Sequence, residues 1–445
     1  MASATEKLAN SVNLKAFAKS EELKKRLLFT ILAILVYRFG SHIPIPGIDP
    51  EIFKDIFQKA SSGILGMFDM FSGGALQRMT IFALNIMPYI SASIIVQLLA
   101  SILPQMAELK KEGEAGRKRM NQYTRYLTVI IAAVQAYGLA VGLENMQGSM
   151  GSAVIDPGAF FRISTVVTLV GGTVFLMWLG EQITARGIGN GTSLIIFAGI
   201  VAGLPQALAK LFALGEQGAI SVGAILVMVV LAIAVIAFIV FMERAQRRVI
   251  VQYPKRQIGN KMFAGDSSHM PLKLNTSGVI PPIFASSLLL LPITLLNFMG
   301  SNGPAWVSVV KSSLQHGKIL YTLIYATLII FFAFFYTALV FNPAETAENL
   351  RKYGGFIPGI RPGKNTADYL DFVLTRITVI GSIYLVFVCL LPEILISKLS
   401  LPFYFGGTSL LIVVSVTMDT VAQINSYMLA HQYESLIKKA KLRGR

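Results

Sequence analysis

Ten stretches of about 20 mostly apolar residues constrain this chain more than any other feature of its sequence. A helix needs about 20 such residues to cross roughly 30 Å of hydrocarbon. The strongest stretch, 220–242, holds no charged residue. The predicted spans are 27–43, 76–103, 124–143, 160–180, 190–211, 220–242, 278–299, 318–341, 374–394 and 406–428. The sequence therefore predicts an all-α integral membrane protein with ten transmembrane helices.

The composition agrees with a membrane-embedded body. Hydrophobic residues make up 54% of the chain and charged residues 14%, against roughly 25% charged residues in soluble domains. This balance argues against an ordinary soluble enzyme. The single cysteine, Cys389, excludes a disulfide within the chain.

The positive charge is concentrated on one side of the predicted membrane. With ten spans both termini share a side, and that side carries 29 of the 39 Lys and Arg residues, against 7 opposite. The positive-inside rule then places both termini in the cytoplasm. The basic segment 1–26 shows no cleavable signal, and 429–445 forms a second basic tail. The cytoplasmic loops 243–277 and 342–373 are longer than orientation requires, so we expect them to bind partners.

Several features do not fit a plain helical bundle. The apolar segment 63–74 would span ~18 Å as a helix, which is too short to cross a bilayer. It is predicted on the outer side, where it either packs into the protein or lies on the surface. Pro88 and Pro292 interrupt predicted spans, which indicates kinked helices. Such breaks are found around transport sites and in ordinary membrane helices alike.

Signatures of enzymes and nucleotide-binding proteins are absent. The histidines show no HExxH spacing and no P-loop motif occurs. The segment Gly187–Gly191 is glycine-rich but follows no strand, so we expect a tight turn between two spans rather than a phosphate site. Arg38, Glu181 and Asp419 are ionisable residues within or beside spans, yet they form no proton relay. We expect neither a metal nor a cofactor.

A series of short motifs occurs in order along the chain. They are Tyr37–Gly40, His42–Ile48, Met67–Leu76, Met87–Ile95, Lys110–Glu114, Gln122–Tyr126, Trp178–Thr184, Gly187–Gly191, Phe341–Pro343, Pro358–Gly363 and Tyr404–Leu411. Each motif alone is weak. Together they make the chain resemble the SecY family of protein-conducting channel subunits over nearly its whole length.

The resemblance implies two pseudo-symmetric five-helix halves, 27–211 and 219–428, around a central pore. The segment 62–74 then matches the plug of the outer funnel, with Ile64, Leu65, Met67, Phe68, Met70 and Phe71 as its apolar residues. The matching positions of the pore ring are Ile86, Ile90, Ile196, Ile283 and Ile412. Ile86 and Ile90 are four apart and share a helix face. A ring of branched apolar side chains offers ions no substitute for hydration and can close by dewetting.

The resemblance also implies a lateral gate to lipid and docking sites for partners. Gln97 matches the gate between spans two and three and spans seven and eight. Lys255, Arg256 and Arg361 match basic contact positions for the SecA motor or the ribosome. SecE and SecG are the implied membrane partners, with SecDF and YidC as candidates for further contacts. Asn85 departs from the family pattern, because many relatives have glycine there.

The function that follows from the resemblance is that of the central preprotein translocase subunit in the bacterial inner membrane. It would pass unfolded secretory polypeptides outward, recognise signal sequences and release transmembrane segments into lipid, without covalent chemistry. The alternative is a secondary transporter of small solutes, which should place polar residues at the midplane. An intramembrane protease would need a nucleophile or paired aspartates, and Asp419 has no evident partner in the sequence.

Overall fold

The fold is taken from a computed structural model of the 445-residue chain. The structure describes all residues except 1–20, 61–68, 70–71, 145–146, 149–150, 217–221, 254–255, 259–260, 264–266, 299–317, 400–406 and 444–445.

Helices dominate the described residues. They are α1 (Glu21–Gly40), α2 (Pro50–Ala60), α3 (Met87–Ile102), α4 (Pro104–Lys111), α5 (Glu114–Glu144), α6 (Ala159–Arg186), α7 (Gly191–Glu216), α8 (Val222–Arg244), α9 (Ile280–Phe298), α10 (Ile319–Val340), α11 (Pro343–Lys352), α12 (Lys364–Leu399) and α13 (Gly407–Arg443). Six helices in the described part of the chain are long and apolar enough to cross a membrane: α5, α6, α8, α10, α12 and α13. The helices α3, α7 and α9 contain shorter apolar stretches. Every predicted span overlaps a helix, while the count of ten crossings stays a prediction.

The second predicted span, 76–103, is not one continuous helix. Residues 75–86 form turns, and α3 begins only at Met87, with Pro88 in its first turn. Proline is favourable there because the first N–H groups of a helix have no intrahelical acceptor. The turns pair with the segment after α1: Ile45 N–H donates to the Met79 carbonyl (2.9 Å), and Ile81 N–H donates to the Ile43 carbonyl (3.0 Å).

The chain divides into two compact units. The first comprises Met1–Phe212, Leu290–Gln315 and Ile412–Arg445. Within it α5 packs on α3 and α6, and α1 packs on α6. Small buried residues such as Ala132, Ala136 and Gly172 let these helices approach closely, as is usual between membrane helices.

The second unit comprises Ala213–Leu289 and His316–Leu411. Within it α12 packs on α10, α11 and α8. Gly381 of α12 lies against the Leu274 carbonyl, where an added Cβ would come within 2.7 Å of the oxygen. The Tyr325 hydroxyl of α10 is 3.1 Å from the Thr408 hydroxyl, so a buried hydrogen bond joins α10 to the first turn of α13.

The second unit also contains strands, which the all-α expectation lacks. The antiparallel strands β3 (Gln246–Gln252) and β6 (Ser267–Lys273) pair Gln246 with Lys273 and Gln252 with Ser267. Between them β4 (Arg256–Ile258) pairs with β5 (Lys261–Phe263). A further short pair, β1 (Gln147–Gly148) and β2 (Gly151–Ser152), belongs to the first unit. The alternation of Arg248, Val249, Ile250 and Val251 is the period of a half-buried strand.

The described residues of the two long loops, 243–277 and 342–373, form a single folded structure with the start of α12. It is here named the cytosolic domain after the side of the membrane that the sequence predicts for it. Gln252 and Phe356 exchange two backbone hydrogen bonds of 2.9 Å, which join β3 to the second loop. A common core lies beneath them, formed by Val249, Leu272, Ile357, Leu370, Val373, Leu374 and Ile377. Each loop therefore depends on the other for burial of its apolar residues.

Large apolar side chains are exposed along the predicted spans. On α8 they include Leu226, Val230 and Ile233, and on α12 they include Ile380 and Ile383. Contiguous exposed apolar surface of this extent marks a membrane or a protein interface. The exposed belts therefore agree with helices that face lipid or membrane partners.

Candidate pore, plug and partner-binding sites

The five isoleucines predicted to line the pore are all buried in the structure. Ile86, Ile90, Ile196 and Ile412 belong to the first unit, and Ile283 belongs to the second. Ile86 immediately precedes α3, and Ile90 lies one turn into it, with a backbone hydrogen bond from Ile90 N–H to the Ile86 carbonyl (3.1 Å). This geometry places the two residues on one face, as their spacing indicates. The joining of all five into one ring stays a prediction.

Asn85, the departure from the family pattern, has a left-handed backbone conformation with φ of 50°. Only glycine adopts this region without cost, and asparagine is one of the few other residues enriched there. Asparagine is therefore a residue that the turn leading into α3 can accommodate.

The apolar plug residues Ile64, Leu65, Met67, Phe68, Met70 and Phe71 lie outside the described residues. The end of the segment is described, and it is bonded to α1. The Tyr37 hydroxyl donates to the Ser72 carbonyl (3.1 Å), and the Arg38 guanidinium donates to the Gly73 carbonyl (3.2 Å). Arg78 adds bonds to the Gly73 and Gly74 carbonyls, both 2.9 Å long.

Sequence reasoning missed this arrangement. In the sequence Arg38 stands out only as an ionisable residue beside a span, and Arg78 only as one basic residue among many. Two features of the sequence could have indicated it: the paired glycines at 73 and 74, and the two arginines in apolar stretches, where a charged side chain needs a hydrogen-bond partner.

Gln97, the predicted gate residue, is half-buried on α3. Its Nε2 donates to the Ser93 hydroxyl one turn earlier (3.0 Å), while its Oε1 is buried and accepts no hydrogen bond from the described residues. An unmatched acceptor in apolar surroundings is costly. The side chain is therefore suited to a site that exchanges partners.

Arg361 is exposed on a loop that the cytosolic domain holds in place. Its neighbours Ile357 and Ile360 pack on the common core. The Thr366 hydroxyl donates to the Arg361 carbonyl (3.0 Å), and Gly359 and Gly363 have φ of 82° and 107°. The backbone is thus fixed while the guanidinium is free to meet a partner. Lys255 lies outside the described residues, and Arg256 belongs to β4.

The glycine-rich segment Gly187–Gly191 forms the tight turn expected from the sequence. Ile188 N–H donates to the Thr30 hydroxyl (3.1 Å) and Gly189 N–H donates to the Gln423 side-chain oxygen (2.8 Å). Gly191 N–H donates to the Thr184 hydroxyl (2.8 Å). Because these donors are bonded within the protein, the loop does not present them to a phosphate, and it instead ties α1 and α13 to the α6–α7 turn.

Two ion pairs connect α5 and α6 and were not foreseen from the sequence. Arg125 makes two bonds to Glu181, of 3.0 and 2.6 Å. At the other end Glu144 accepts hydrogen bonds from Arg162 (2.8 and 2.6 Å) and from Gly158 N–H (3.0 Å). The bonds from Arg162 hold the pKa of the Glu144 carboxyl below its ordinary value. The pair fixes the C-terminal end of α5 against the N-terminal end of α6.

The described residues include no group of three or more histidine, cysteine or acidic side chains suited to a metal ion. The long apolar helices, their exposed apolar side chains and the folded domain formed by the two loops define a multi-spanning helical membrane protein.

Comparison with known proteins gives the family. The sequence profile of the SecY family matches residues 80–421. The protein translocase subunit SecY of Rickettsia bellii is 56% identical over 425 residues, which cover 96% of this chain and 98% of the relative. The Escherichia coli K12 subunit of the same name is 56% identical over 424 residues, with 95% and 96% covered. The chain therefore belongs to the SecY family.

Solved structures with the same fold are more distant in sequence. A SecY structure, described in terms of a plug domain that stabilises the closed translocation channel, superposes with a TM-score of 0.65 at 21% identity, covering 91% of this chain and 92% of that chain. Sec61 in a canine ribosome–channel complex superposes with a TM-score of 0.62 at 19% identity, covering 91% and 93%. The prediction of a translocase channel subunit is confirmed by the family, and the solute transporter finds no support in these comparisons.

Proposed function

We propose that this chain is the central channel subunit of a bacterial preprotein translocase, which passes unfolded secretory polypeptides across the inner membrane and releases transmembrane segments into lipid. The observation that carries the proposal is the near full-length identity of 56% to protein translocase subunits SecY. The buried isoleucines agree with an apolar constriction, which would exclude water and therefore block ions.

The proposed topology has ten crossings and both termini in the cytoplasm. It is supported by the overlap of every predicted span with a helix and by the four-to-one division of basic residues. A reporter fused after Ser149 should read outside, and one fused at Lys261 should read inside. The reverse result at either site would contradict the span assignment.

We assign 62–74 as the plug and Gln97 as part of the lateral gate. The bonded base at Ser72–Gly74 supports a segment that is attached firmly at one end. Exit of a signal sequence through the gate would transfer apolar surface from water to hydrocarbon, at about 0.8 kcal/mol per buried CH₂. The unmatched Gln97 oxygen gives the gate an acceptor for a polar group of the passing chain.

The cytosolic domain is the proposed docking site for the SecA motor and the ribosome, and the exposed spans are proposed to receive SecE and SecG. Arg361 is held on a rigid loop, as a contact residue should be. Structural neighbours have been solved on ribosomes, including the yeast Ssh1 complex bound to an 80S ribosome, which supports a ribosome as a partner.

The decisive experiment is a crosslink from a stalled secretory chain to a cysteine at Ile86 or Ile412. The buried Cys389 is first replaced by serine. A cysteine at Ile102, which is exposed on the same helix as Ile90, is the matched control. We expect adducts at Ile86 and Ile412 and none at Ile102. Equal labelling of all three positions, or labelling of Ile102 alone, would contradict a central pore at the isoleucines.

A further inference from the structure

The base of the plug segment is held by two arginines through main-chain carbonyl groups. Arg38 projects from α1 and bonds the Gly73 carbonyl, while Arg78 bonds the carbonyls of Gly73 and Gly74. We name this arrangement of Arg38, Arg78 and the two carbonyls the carbonyl clamp. Tyr37, which is fully buried, bonds the next carbonyl along, that of Ser72.

The electrostatics of the carbonyl clamp require an explanation. Arg38 and Arg78 lie close enough to repel one another, and the carboxylate of Asp69 offsets only part of this on Arg78. Both guanidiniums are half-buried. Bringing like charges together in a low dielectric is costly, and such residues in membrane proteins are functional by default. Ordinary packing of a turn would not need either charge.

The backbone that the clamp holds is a tight turn packed closely against α7. Gly73 and Gly74 have φ of 66° and 81°. A Cβ on Gly73 would lie 2.9 Å from the Gly199 backbone of α7, so the turn is wedged between α1 and α7. Within the turn Gly74 N–H donates to the Asp69 carbonyl (2.9 Å) and Gln77 N–H donates to the Asp69 carboxylate (2.7 Å).

We propose that Arg38 and Arg78 are positioning residues that fix the point at which the plug segment joins the chain leading to the pore ring. The inference rests on the proposed function of 62–74 as the plug. Because the clamp binds carbonyl oxygens, it is independent of the side chains of the plug. It holds the base of the segment in one place, 12 residues before Ile86.

The test measures ion conductance of the reconstituted translocase complex in planar bilayers without substrate. The variants are Arg38→Gln, Arg78→Gln and the double variant, with Arg125→Gln as a matched control that removes a half-exposed guanidinium from the same unit. We expect the double variant to show roughly tenfold or more open events, because a charge-assisted hydrogen bond changes an equilibrium by about that factor. Arg125→Gln should behave as the parent.

A second measurement separates positioning from general loosening of the fold. The same substitutions are placed in a complex that lacks residues 65–70. If the arginines act through the plug, they add nothing there, and the conductance of the combined variant equals that of the deletion alone. Further leakage in the deleted background would overturn the proposal, because the arginines would then seal the pore in another way. Arg78→Lys keeps the charge but has a single nitrogen donor, so its conductance should lie between those of the parent and of Arg78→Gln. A conductance equal to either one would contradict the clamp geometry.

The outcomes also distinguish this inference from the function on which it rests. If deletion of 65–70 raises conductance and the glutamine variants do not, the plug stands and the clamp is wrong. If deletion leaves conductance unchanged, the plug assignment itself fails and the clamp fails with it.

Discussion

The left-handed backbone at Asn85 gives a quantitative test of the turn that delivers Ile86 to its buried position. Substitution by alanine should destabilise the protein by about 1–2 kcal/mol, because that is the cost of the left-handed region for a residue with a Cβ and no local hydrogen-bonding side chain. Asn85→Val should cost more, since β-branched residues are genuine outliers at positive φ. Asn85→Gly should be tolerated because glycine has no Cβ to clash.

Unfolding of the purified protein in mixed micelles, followed by circular dichroism, would measure this series. A change of 1–2 kcal/mol alters the folded-to-unfolded ratio by about 5–30-fold. Ala92→Gly is the matched control, because Ala92 is fully buried inside α3 and glycine there should cost about 1 kcal/mol. Glycine is thus expected to be harmless at position 85 and harmful at position 92. A valine variant as stable as the glycine variant would refute the left-handed assignment.

Three further predictions follow from the sites described above. The Glu144–Arg162 pair should stabilise the contact between the C-terminal end of α5 and the N-terminal end of α6 above the ordinary carboxyl range near pH ~4.3. This stability should disappear as the pH falls through the lowered pKa of Glu144. Glu144→Gln should abolish the pH dependence of unfolding in that window, and an unchanged profile would show that the pair contributes nothing. Arg361→Glu should lower the rate of motor-driven preprotein import into vesicles tenfold or more, which is the scale of a lost charge-assisted contact. Arg351→Glu in the same domain should leave this rate unchanged. A normal rate for Arg361→Glu would show that the residue does not contact the motor. Replacement of Ile86, Ile90 and Ile283 together by serine should raise resting ion conductance, more so in combination with deletion of 65–70, and a combined variant as tight as the parent would show that the pore does not pass these residues.

The positions of the helices could be predicted from the sequence because burial in lipid imposes one long apolar pattern per span. The predicted span 220–242 corresponds to the helix Val222–Arg244, and the predicted span 318–341 corresponds to the helix Ile319–Val340. The prediction of a continuous helix for the second span was wrong over 76–86, for a local reason. Its composition is apolar, yet Met79 and Asn85 have positive φ and the chain forms turns. Hydropathy reports where a segment resides and not how its backbone bonds are made.

The contents of the cytoplasmic loops could be predicted only as long, basic and engaged with partners. Their strands are short, and their common core combines residues such as Val249 and Leu370 that are more than a hundred positions apart in the chain. No periodicity within one loop reveals such a core. The Pro and Gly residues beside Arg361 indicate a stiff loop, and the structure adds the hydrogen bond from Thr366 and the packing of Ile357.

The sequence could predict those parts of the candidate site that depend on the identity of one residue. Asn85 was identified as a departure, and its backbone conformation then explained why it is tolerated. The partners of Arg38 and Arg78 could not be deduced, because a main-chain carbonyl leaves no mark in a sequence. The plug residues from Ile64 to Phe71 remain assigned by resemblance to the family.

The helix α12 extends far beyond what a membrane crossing requires. Its 36 residues correspond to ~54 Å at the usual rise of 1.5 Å per residue, against roughly 30 Å of hydrocarbon. Leu370, Val373, Leu374 and Ile377 of its first turns belong to the core of the cytosolic domain. A partner that tilts this domain would therefore also tilt the part of α12 that precedes Pro392, the proline inside the helix. Because the core residues lie on α12 itself, motion of the domain would reach the proposed membrane span as rotation of that helix, without an intervening loop.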